Sequence, residues 1–465
     1  VIRTEPEPPE TLDVATAKNL RRIPAQRSRP PAGDRFPIRT LATPRIAVTL
    51  AVVGTLLLAV VGLASPNDHT LDARLPLSLL PALPGAASTY LTLTAIVLQL
   101  LGLLGMLAAN RAGWRPSRRQ LLTAGTAAVL TLACLTPIGS SDTASYAAYG
   151  RIAALGGDPY SSTPGLLGGP YAQLVSSSWL HTPSVYGPIA TWIQEGAAMI
   201  GGSHPWLTIW LLMVANAVVF IAVGWLLMRQ AEDEIRAGLL WMANPLLIGQ
   251  LVGGGHLDTY VAALALCAVL SVRRGTLLHH DLLAGAAVGL AAGVKVSAAL
   301  IGVGLIWPLV RQRAWVRALR ITVVSVVTVV ALYFTYGLHA LAPLSTASDL
   351  VSVPSVWQVV QHFGRLTIGQ ASTAFAISAI WPVLLLLVAA LALRRIPGKP
   401  PGVVAVPFAL IFAWIVVAPW CMPWYTAAAW PLAALLPRSP LTRWLALITA
   451  ALALVHNTGG HGWVW

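Results

Sequence analysis

The chain has 465 residues, of which 56% are hydrophobic and only 10% charged, with a mean hydropathy of +0.72. A soluble enzyme, a disordered protein and a coiled coil all need more polar surface than this. Lipid is the solvent that remains, and the expected fold is an all-α, polytopic integral membrane protein. The formal net charge of +14 resembles that of a nucleic-acid binder until the basic residues are placed along the chain. Three Cys, at positions 134, 267 and 421, make no disulfide framework and no metal motif.

Residues 1–46 hold nine Lys/Arg, and six Pro precede Pro37. This segment reads as a disordered basic tail rather than a signal peptide, because no apolar core with a small-residue cleavage site precedes residue 46. From 47 to 458 the chain is a ladder of apolar runs, near 47–64, 88–109, 120–138, 205–228, 237–253, 256–273, 282–294, 296–310, 317–337, 374–393, 403–419, 423–437 and 441–458. Several fall short of the ~20 residues that a straight span needs, which predicts tilted, broken or half-inserted segments and about 11–13 membrane helices. Residues 185–201 carry Gln194 and Glu195 in an apolar stretch and read as an interfacial or re-entrant helix. The short segment 459–465 is expected to be an outer C-terminal tail.

Alternating the spans from a cytoplasmic N-terminus puts 26 of the 30 Lys/Arg on one side, leaving Arg74, Arg151, Lys295 and Arg365. Such sorting is the positive-inside pattern of a plasma-membrane protein. It sets the basic residues against the anionic inner leaflet, loop by loop, and removes the nucleic-acid reading. Two long outer segments follow, 139–204 and 338–373, and long structured loops commonly carry function.

The 139–204 segment opens with Ser141-Asp142 and an Ala-rich run, a helix start. Asp142, Ser145, Tyr146 and Tyr149 then share one face at i, i+3, i+4 and i+7. That face is polar and aromatic, suited to a sugar, and a carboxylate at the top of a span can serve as a general base. A plain helix cap explains Asp142 about as well. The Gly157-Asp158-Pro159-Tyr160 stretch and the Pro183-Ser184-Val185-Tyr186-Gly187-Pro188 stretch are turn signals, and for Asp158 turn chemistry is the simpler account. In Asn244-Pro245 through Gly253-Gly254-Gly255-His256-Leu257-Asp258, the glycines permit close backbone approach and exposed N–H groups. His256 could donate to a phosphate there, and Asp258 could hold His256 or cap the next helix. Lys295 lies between two apolar runs, where an ammonium needs a partner or water. A lipid phosphate could be that partner, and snorkelling to the interface is the plainer alternative. Residues 357–365 form an amphipathic stretch with the character of a lid or interfacial helix. Pro423-Trp424-Tyr425 makes an aromatic turn, either a site wall or part of an interfacial belt.

Taken in order, Asp142…Tyr146…Tyr149-Gly150-Arg151, Gly157-Asp158-Pro159-Tyr160, Pro183 to Pro188, Asn244-Pro245 with Gly253 to Asp258, Val294-Lys295-Val296 and Pro423-Trp424-Tyr425 resemble the actinobacterial GT-C glycosyltransferases that use polyprenyl-phosphate mannose. Within them the sequence is similar to the α-1,6-mannosyltransferases of the lipomannan and lipoarabinomannan mannan core, over about residues 45–458. The resemblance implies a GT-C helical core with a periplasmic site, a lipid-linked mannose donor and a mannan glycolipid acceptor. It implies Asp142 as base, and His256, Lys295 and Arg151 against the donor phosphate. Tyr146, Tyr149, Asp158, Tyr160, Tyr186, Asp258, Trp424 and Tyr425 would then face sugars. One departure stands out: the family commonly has Asn-Asp after the Gly-Gly-Gly-His stretch, and here it is Leu257-Asp258. Asp68 and Asp72, in the loop after the first span, rank second for the catalytic carboxylate. No residue pattern demands a cofactor, although a divalent metal is compatible with the chemistry. Two other functions remain open at this point: a GT-C arabinofuranosyltransferase using decaprenyl-phosphate arabinose, and a flippase or transporter of lipid-linked sugars.

Overall fold

The computed structural model describes residues 43–72, 75, 77–348, 350–353, 355–399 and 401–458. The expected tail, through residue 42, Arg74, and the terminal segment 459–465 lie outside the described residues. Every apolar run within them forms helix, and no strand occurs among the described residues. Six helical stretches are long and apolar enough to cross a membrane, and four shorter apolar helices accompany them.

Helix α1 (Pro44–Leu63) starts three residues before the expected boundary, because Pro44 supplies the fixed φ of a first helical turn. It forms a tight hairpin with α2 (Gly85–Arg111). A Cβ on Gly102 would lie 2.6 Å from the Ala51 nitrogen, and one on Gly54 would lie 2.8 Å from the Ala95 oxygen. The two backbones can approach this closely only with glycine at the crossing. Helix α3 (Arg118–Ala133) opens with a capping box, in which the Ser117 hydroxyl accepts from Gln120 N at 3.2 Å and Gln120 Oε1 accepts from Ser117 N at 2.8 Å.

The expected outer segment 139–204 is largely helical. Helix α4 (Asp142–Ala154) packs along α5 (Pro188–Gly201), with Gly150 against the Gln194 carbonyl. The chain continues through α6 (Pro205–Gln230), α7 (Glu234–Leu240), a π-helical turn at Ile248–Gly253, α8 (Asp258–Arg274), α9 (Leu278–Val294), α10 (Ala299–Arg311) and α11 (Trp315–Phe334). In α9, Gly285, Gly289 and Gly293 recur every fourth residue and face Val324, Thr328 and Leu332. This is the small-residue seam that lets membrane helices meet at backbone range. The amphipathic stretch is α12 (Trp357–Thr367), followed by α13 (Gln370–Arg395), α14 (Gly402–Val417), α15 (Ala429–Leu435) and α16 (Leu441–Asn457).

The outer solvent of this bundle is apolar. Only 17% of the apolar window of α11 and 22% of that of α13 is buried in the protein, whereas 89% of the Glu234–Gly253 stretch is. Val323, Val326, Val327 and Val330 of α11 project outward. In water an exposed apolar patch of this extent would aggregate, and in lipid it carries no such cost. Charges gather at one end of the bundle. Asp233 caps α7 by accepting from Arg236 N and binds both Arg115 (2.7 Å) and Arg438 (2.6 Å). At the same end, Asp281 at the start of α9 holds Arg317 at 2.8 Å.

Candidate functional site

The opposite end gathers the α1–α2 connection, the starts of α4 and α8, the end of α9, the turn after α14 and the end of α16. Asp142 occupies the first turn of α4, and Ser141 holds the cap position. Its carboxylate is therefore not spent on capping. Oδ2 accepts from the Tyr146 hydroxyl at 3.3 Å and stands 3.5 Å from His256 Nδ1. At that distance His256 is a charge neighbour rather than a well-formed hydrogen-bond partner, and its buried Nδ1 has no hydrogen-bond partner. Burial pushes the Asp142 carboxyl up. The contact with His256 and the charges of His256, His456 and Lys295 outweigh this and hold it below the ordinary value of 3.8.

Lys295, just past the end of α9, binds Asp258 bidentately at 3.0 and 3.4 Å. Its ammonium also sits 3.2 Å from the centroid of the Tyr425 ring, a cation–π contact in a desolvated setting. The partner of the buried ammonium is thus a carboxylate on the neighbouring helix, where the sequence reading offered a lipid phosphate or snorkelling. The His256 ring stacks on Trp424 with centroids 3.6 Å apart and planes within 10°. The Tyr425 ring stacks in turn on Trp414 at 5.3 Å. Trp424 and Tyr425 each give a ring face to a basic side chain, Trp424 to the His256 imidazole and Tyr425 to the Lys295 ammonium, and so hold both in place. Tyr146 and Tyr186 meet edge to face at 5.0 Å, and the Tyr149 hydroxyl donates to the Thr182 carbonyl at 2.8 Å.

Two expectations about the glycine segment change. His256 faces Asp142 of α4, and Asp258 faces Lys295, so residues two apart in sequence serve different partners. The N–H groups of Gly254, Gly255 and His256 are bonded to the carbonyls of Gly249, Val252 and Leu251, so this turn offers no anion nest. Gly255 is needed for another reason. Its φ is +68°, and a Cβ there would lie 2.4 Å from Thr143 Cγ2. Absence of the side chain lets the His256 turn close on α4. Gly187 does the same for the Tyr186 turn, donating to the Val294 carbonyl at 3.0 Å with no room for a Cβ against Gly293.

The structure does not bring Arg151, Asp158 or Tyr160 to the carboxylate. Arg151 is nine residues beyond Asp142, which on a helix is about 13 Å along the axis and roughly half a revolution round. Its guanidinium lies 6.0 Å from the Tyr171 ring centroid. Asp158 accepts from the Tyr160 backbone N–H, as turn chemistry requires, and pairs with His339. Tyr160 donates to or accepts from the Thr191 hydroxyl and packs with Tyr333 and Tyr336. Conversely, His456 was not among the expected site residues. It bonds the Gly139 carbonyl at 2.9 Å and meets Trp424 edge-on at 5.1 Å. Its position at the close of the last apolar run is the sequence signal that could have found it. Among the described residues no group of three or more His, Cys, Asp or Glu side chains converges to hold a metal ion.

The N-terminal-domain profile of the α-(1→6)-mannopyranosyltransferase family matches residues 46–311. These contain Asp142, His256, Asp258 and Lys295, while Trp424, Tyr425 and His456 lie beyond them. A protein of Mycolicibacterium smegmatis named as a probable α-(1→6)-mannopyranosyltransferase is 32% identical over 237 residues, covering 48% of this chain and 42% of that protein. α-(1→6)-Mannopyranosyltransferase A of Corynebacterium glutamicum is 27% identical over 186 residues, covering 39% and 37%. α-(1→6)-Mannopyranosyltransferase A of Mycobacterium tuberculosis is 25% identical over 356 residues, covering 70% and 67%. The chain spans about two fifths of the length of the first two relatives in these matches. No solved structure matches it. With more than half of its length matched by the family profile, the chain belongs to the α-(1→6)-mannopyranosyltransferase family.

Proposed function

We propose that the protein is a membrane mannosyltransferase that moves mannose from polyprenyl-phosphate mannose to a mannan glycolipid at the periplasmic face, with inversion at the anomeric carbon. The observation that carries this reading is the Asp142 carboxylate. It is ionised, free of capping duty, and set beside His256 with the Lys295–Asp258 pair in the same cluster. The names of the relatives supply the sugar and the linkage.

In this mechanism an acceptor hydroxyl gives its proton to Asp142 as its oxygen attacks the anomeric carbon. The bond from that carbon to the phosphate oxygen breaks, and its electron pair leaves with polyprenyl phosphate. A β-linked donor yields an α-linked product. The charge developing on the phosphate is offset by Lys295, which Asp258 and the Tyr425 ring hold in place, and by His256 clamped on Trp424. His256 Nδ1 has a hydrogen bond still to make, and such contacts tighten when substrate arrives. Of the four polar members of the cluster, Asp142 is the most open, at 20% side-chain exposure against 1% for His256. The base is thus the member an incoming hydroxyl can reach. The sorting of Lys/Arg supports the periplasmic placement of this end.

The test is transfer of radiolabelled mannose from its lipid carrier by purified protein, with the decaprenyl-phosphate arabinose donor run in parallel. Asp142→Asn should cut transfer by about 10²–10⁴-fold while expression and membrane insertion stay unchanged. Full activity in that variant removes Asp142 from the mechanism, and transfer of arabinose alone replaces the donor.

A further inference from the structure

The proposed reaction leaves the arginine-rich end of the bundle unused. Several arginines there are bound by the protein itself. Arg115 and Arg438 pair with Asp233. The Arg236 guanidinium donates to the carbonyls of Ala433, Ala434 and Leu436 and to the Thr442 hydroxyl. The junction where α8 ends and α9 and α11 begin is different, because it holds more cationic donors than the protein satisfies.

Asp281 is the centre of that junction and is fully buried. Its Oδ1 accepts from Arg317 Nε at 2.8 Å. The same guanidinium donates through Nη2 to the Gly275 carbonyl at 2.8 Å and the Val272 carbonyl at 3.4 Å. Arg317 is thus taken up in tying α8 to α9. Arg320, about one turn further along α11, comes only within 3.6 Å of the other carboxylate oxygen, a charge contact and not a hydrogen bond. Its side chain is partly exposed, and its N–H groups have no hydrogen-bond acceptor among the described residues. Arg274 is exposed and has no hydrogen-bond or ion-pair partner among the described residues. The charges of Arg274 and Arg317 both reach the His280 ring, which packs on Gly275. Three guanidinium groups therefore share one carboxylate, and two of them keep unused donors.

The surface around this cluster is apolar. Leu278, Leu282 and Leu283 at the start of α9, and Trp315, Val316 and Leu319 at the start of α11, are all exposed. Those of α11 lead into the valine face that the same helix turns outward. The guanidinium fork matches a phosphate, but a soluble phosphate would use the charges and leave the apolar rim bare. A zwitterionic headgroup carries its own cation, which the surplus guanidiniums repel. A lipid with a net negative headgroup satisfies the cluster and its rim together, and basic pockets between membrane helices serve such headgroups.

We infer that the junction of α8, α9 and α11 is a binding site for an anionic phospholipid, with Arg274 and Arg320 on its phosphate and the exposed starts of α9 and α11 along its acyl chains. Asp281 and Arg317 frame the site and do not bind the lipid. The site is independent of the sugar transferred and lies at the end of the molecule opposite Asp142.

The experiment titrates the full chain in detergent with phosphatidylglycerol and counts bound lipid by native mass spectrometry. The Arg274→Gln/Arg320→Gln double variant should bind about 10–30-fold more weakly than the wild type. Arg118→Gln/Arg119→Gln removes the same charge from the start of α3, at the same end, and should leave the affinity unchanged. Phosphatidylglycerol should also raise the thermal midpoint of the wild type and not that of the Arg274/Arg320 variant. Phosphatidylcholine should bind more weakly, and excess inorganic phosphate should not displace the bound lipid. Equal losses in the two double variants would reduce the effect to net charge and overturn the site. Unchanged affinity in the Arg274/Arg320 variant overturns it as well, and so does equal binding of the two lipids. Displacement by inorganic phosphate would make the cluster a pocket for a soluble anion and also overturns the inference. Should the double variant not fold, Arg274→Gln alone, at an exposed side chain, gives the same test with a smaller loss expected.

Discussion

The carboxylate of Asp142 feels two opposed influences. Burial favours its neutral form, and the neighbouring His256, His456 and Lys295 favour the ionised form and prevail. Tyr146 donates to it at 3.3 Å, and Tyr186 packs behind Tyr146. A base with a lowered pKa stays deprotonated as the pH falls into the ordinary carboxylate range, so wild-type turnover should show no acid limb at or above that range. Removing the imidazole in His256→Gln leaves burial less opposed. The Asp142 pKa then rises, and the acid limb should move to higher pH than in the wild type. A kcat profile measured on the purified variant checks this, and a loss of equal size at every pH would restrict His256 to the leaving phosphate. Residue types were legible in the sequence, because carboxylate, imidazole, ammonium and tyrosines recur in one outer segment each. Their pairings were not. His256 and Asp258 are two apart, and adjacency made them look like partners. The turn of backbone at Gly255 instead sends one to α4 and the other to Lys295. The supporting roles of Trp424 and Tyr425 likewise depend on contacts across more than 100 residues of chain, which no local pattern records.

At the scale of elements, hydrophobic runs located the helices well, since each run must bury its backbone hydrogen bonds in itself wherever lipid surrounds it. The internal structure of the 139–204 segment was only half visible. Its polar face marked α4, but α5 looked interfacial because Gln194 and Glu195 interrupt an apolar stretch. Gln194 turns out to be buried against Gly150 of α4, a position that needs the tertiary contact to explain it. The seam between α9 and α11 shows how a pair of helices sets the site. Gly285, Gly289 and Gly293 bring α9 onto α11, and Lys295 emerges just beyond the last of them. A Cβ at Gly289 would stand 2.5 Å from Thr328 Cβ and 2.9 Å from the Ser325 carbonyl. Gly289→Val must therefore push the helices apart, a cost of about 1–3 kcal/mol for overpacking. Its thermal midpoint in detergent should fall. Gly196→Ala on α5 is the control, since nothing lies within 4 Å of the added carbon. Its midpoint should hold or rise, given the better helix propensity of Ala. An unchanged midpoint for Gly289→Val would show that the seam is slack.

Across the whole molecule, charge and chemistry lie at opposite ends. Asp233 draws together Arg115, after α2, and Arg438, before α16, while Arg317 and Arg320 close on Asp281 beside α9. Asp142, His256 and Lys295 occupy the other end, with loops that contain few basic residues. A bilayer reads this polarity through its anionic inner leaflet, which favours the arginine-rich end. The proposed reaction requires the same orientation, because the site must then face the periplasm. Replacing Cys134, Cys267 and Cys421 with Ala, and adding a single Cys, turns that into a measurement. Ser178→Cys sits on an exposed turn of the 139–204 segment, and Arg119→Cys on the exposed first turn of α3. A membrane-impermeant maleimide added to intact cells should label the first and spare the second until the membrane is permeabilised. Labelling in the reverse order would put the carboxylate in the cytosol, where the arginine-rich end could no longer rest against the inner leaflet. The sorting of 26 basic residues would then have to arise from something other than topology.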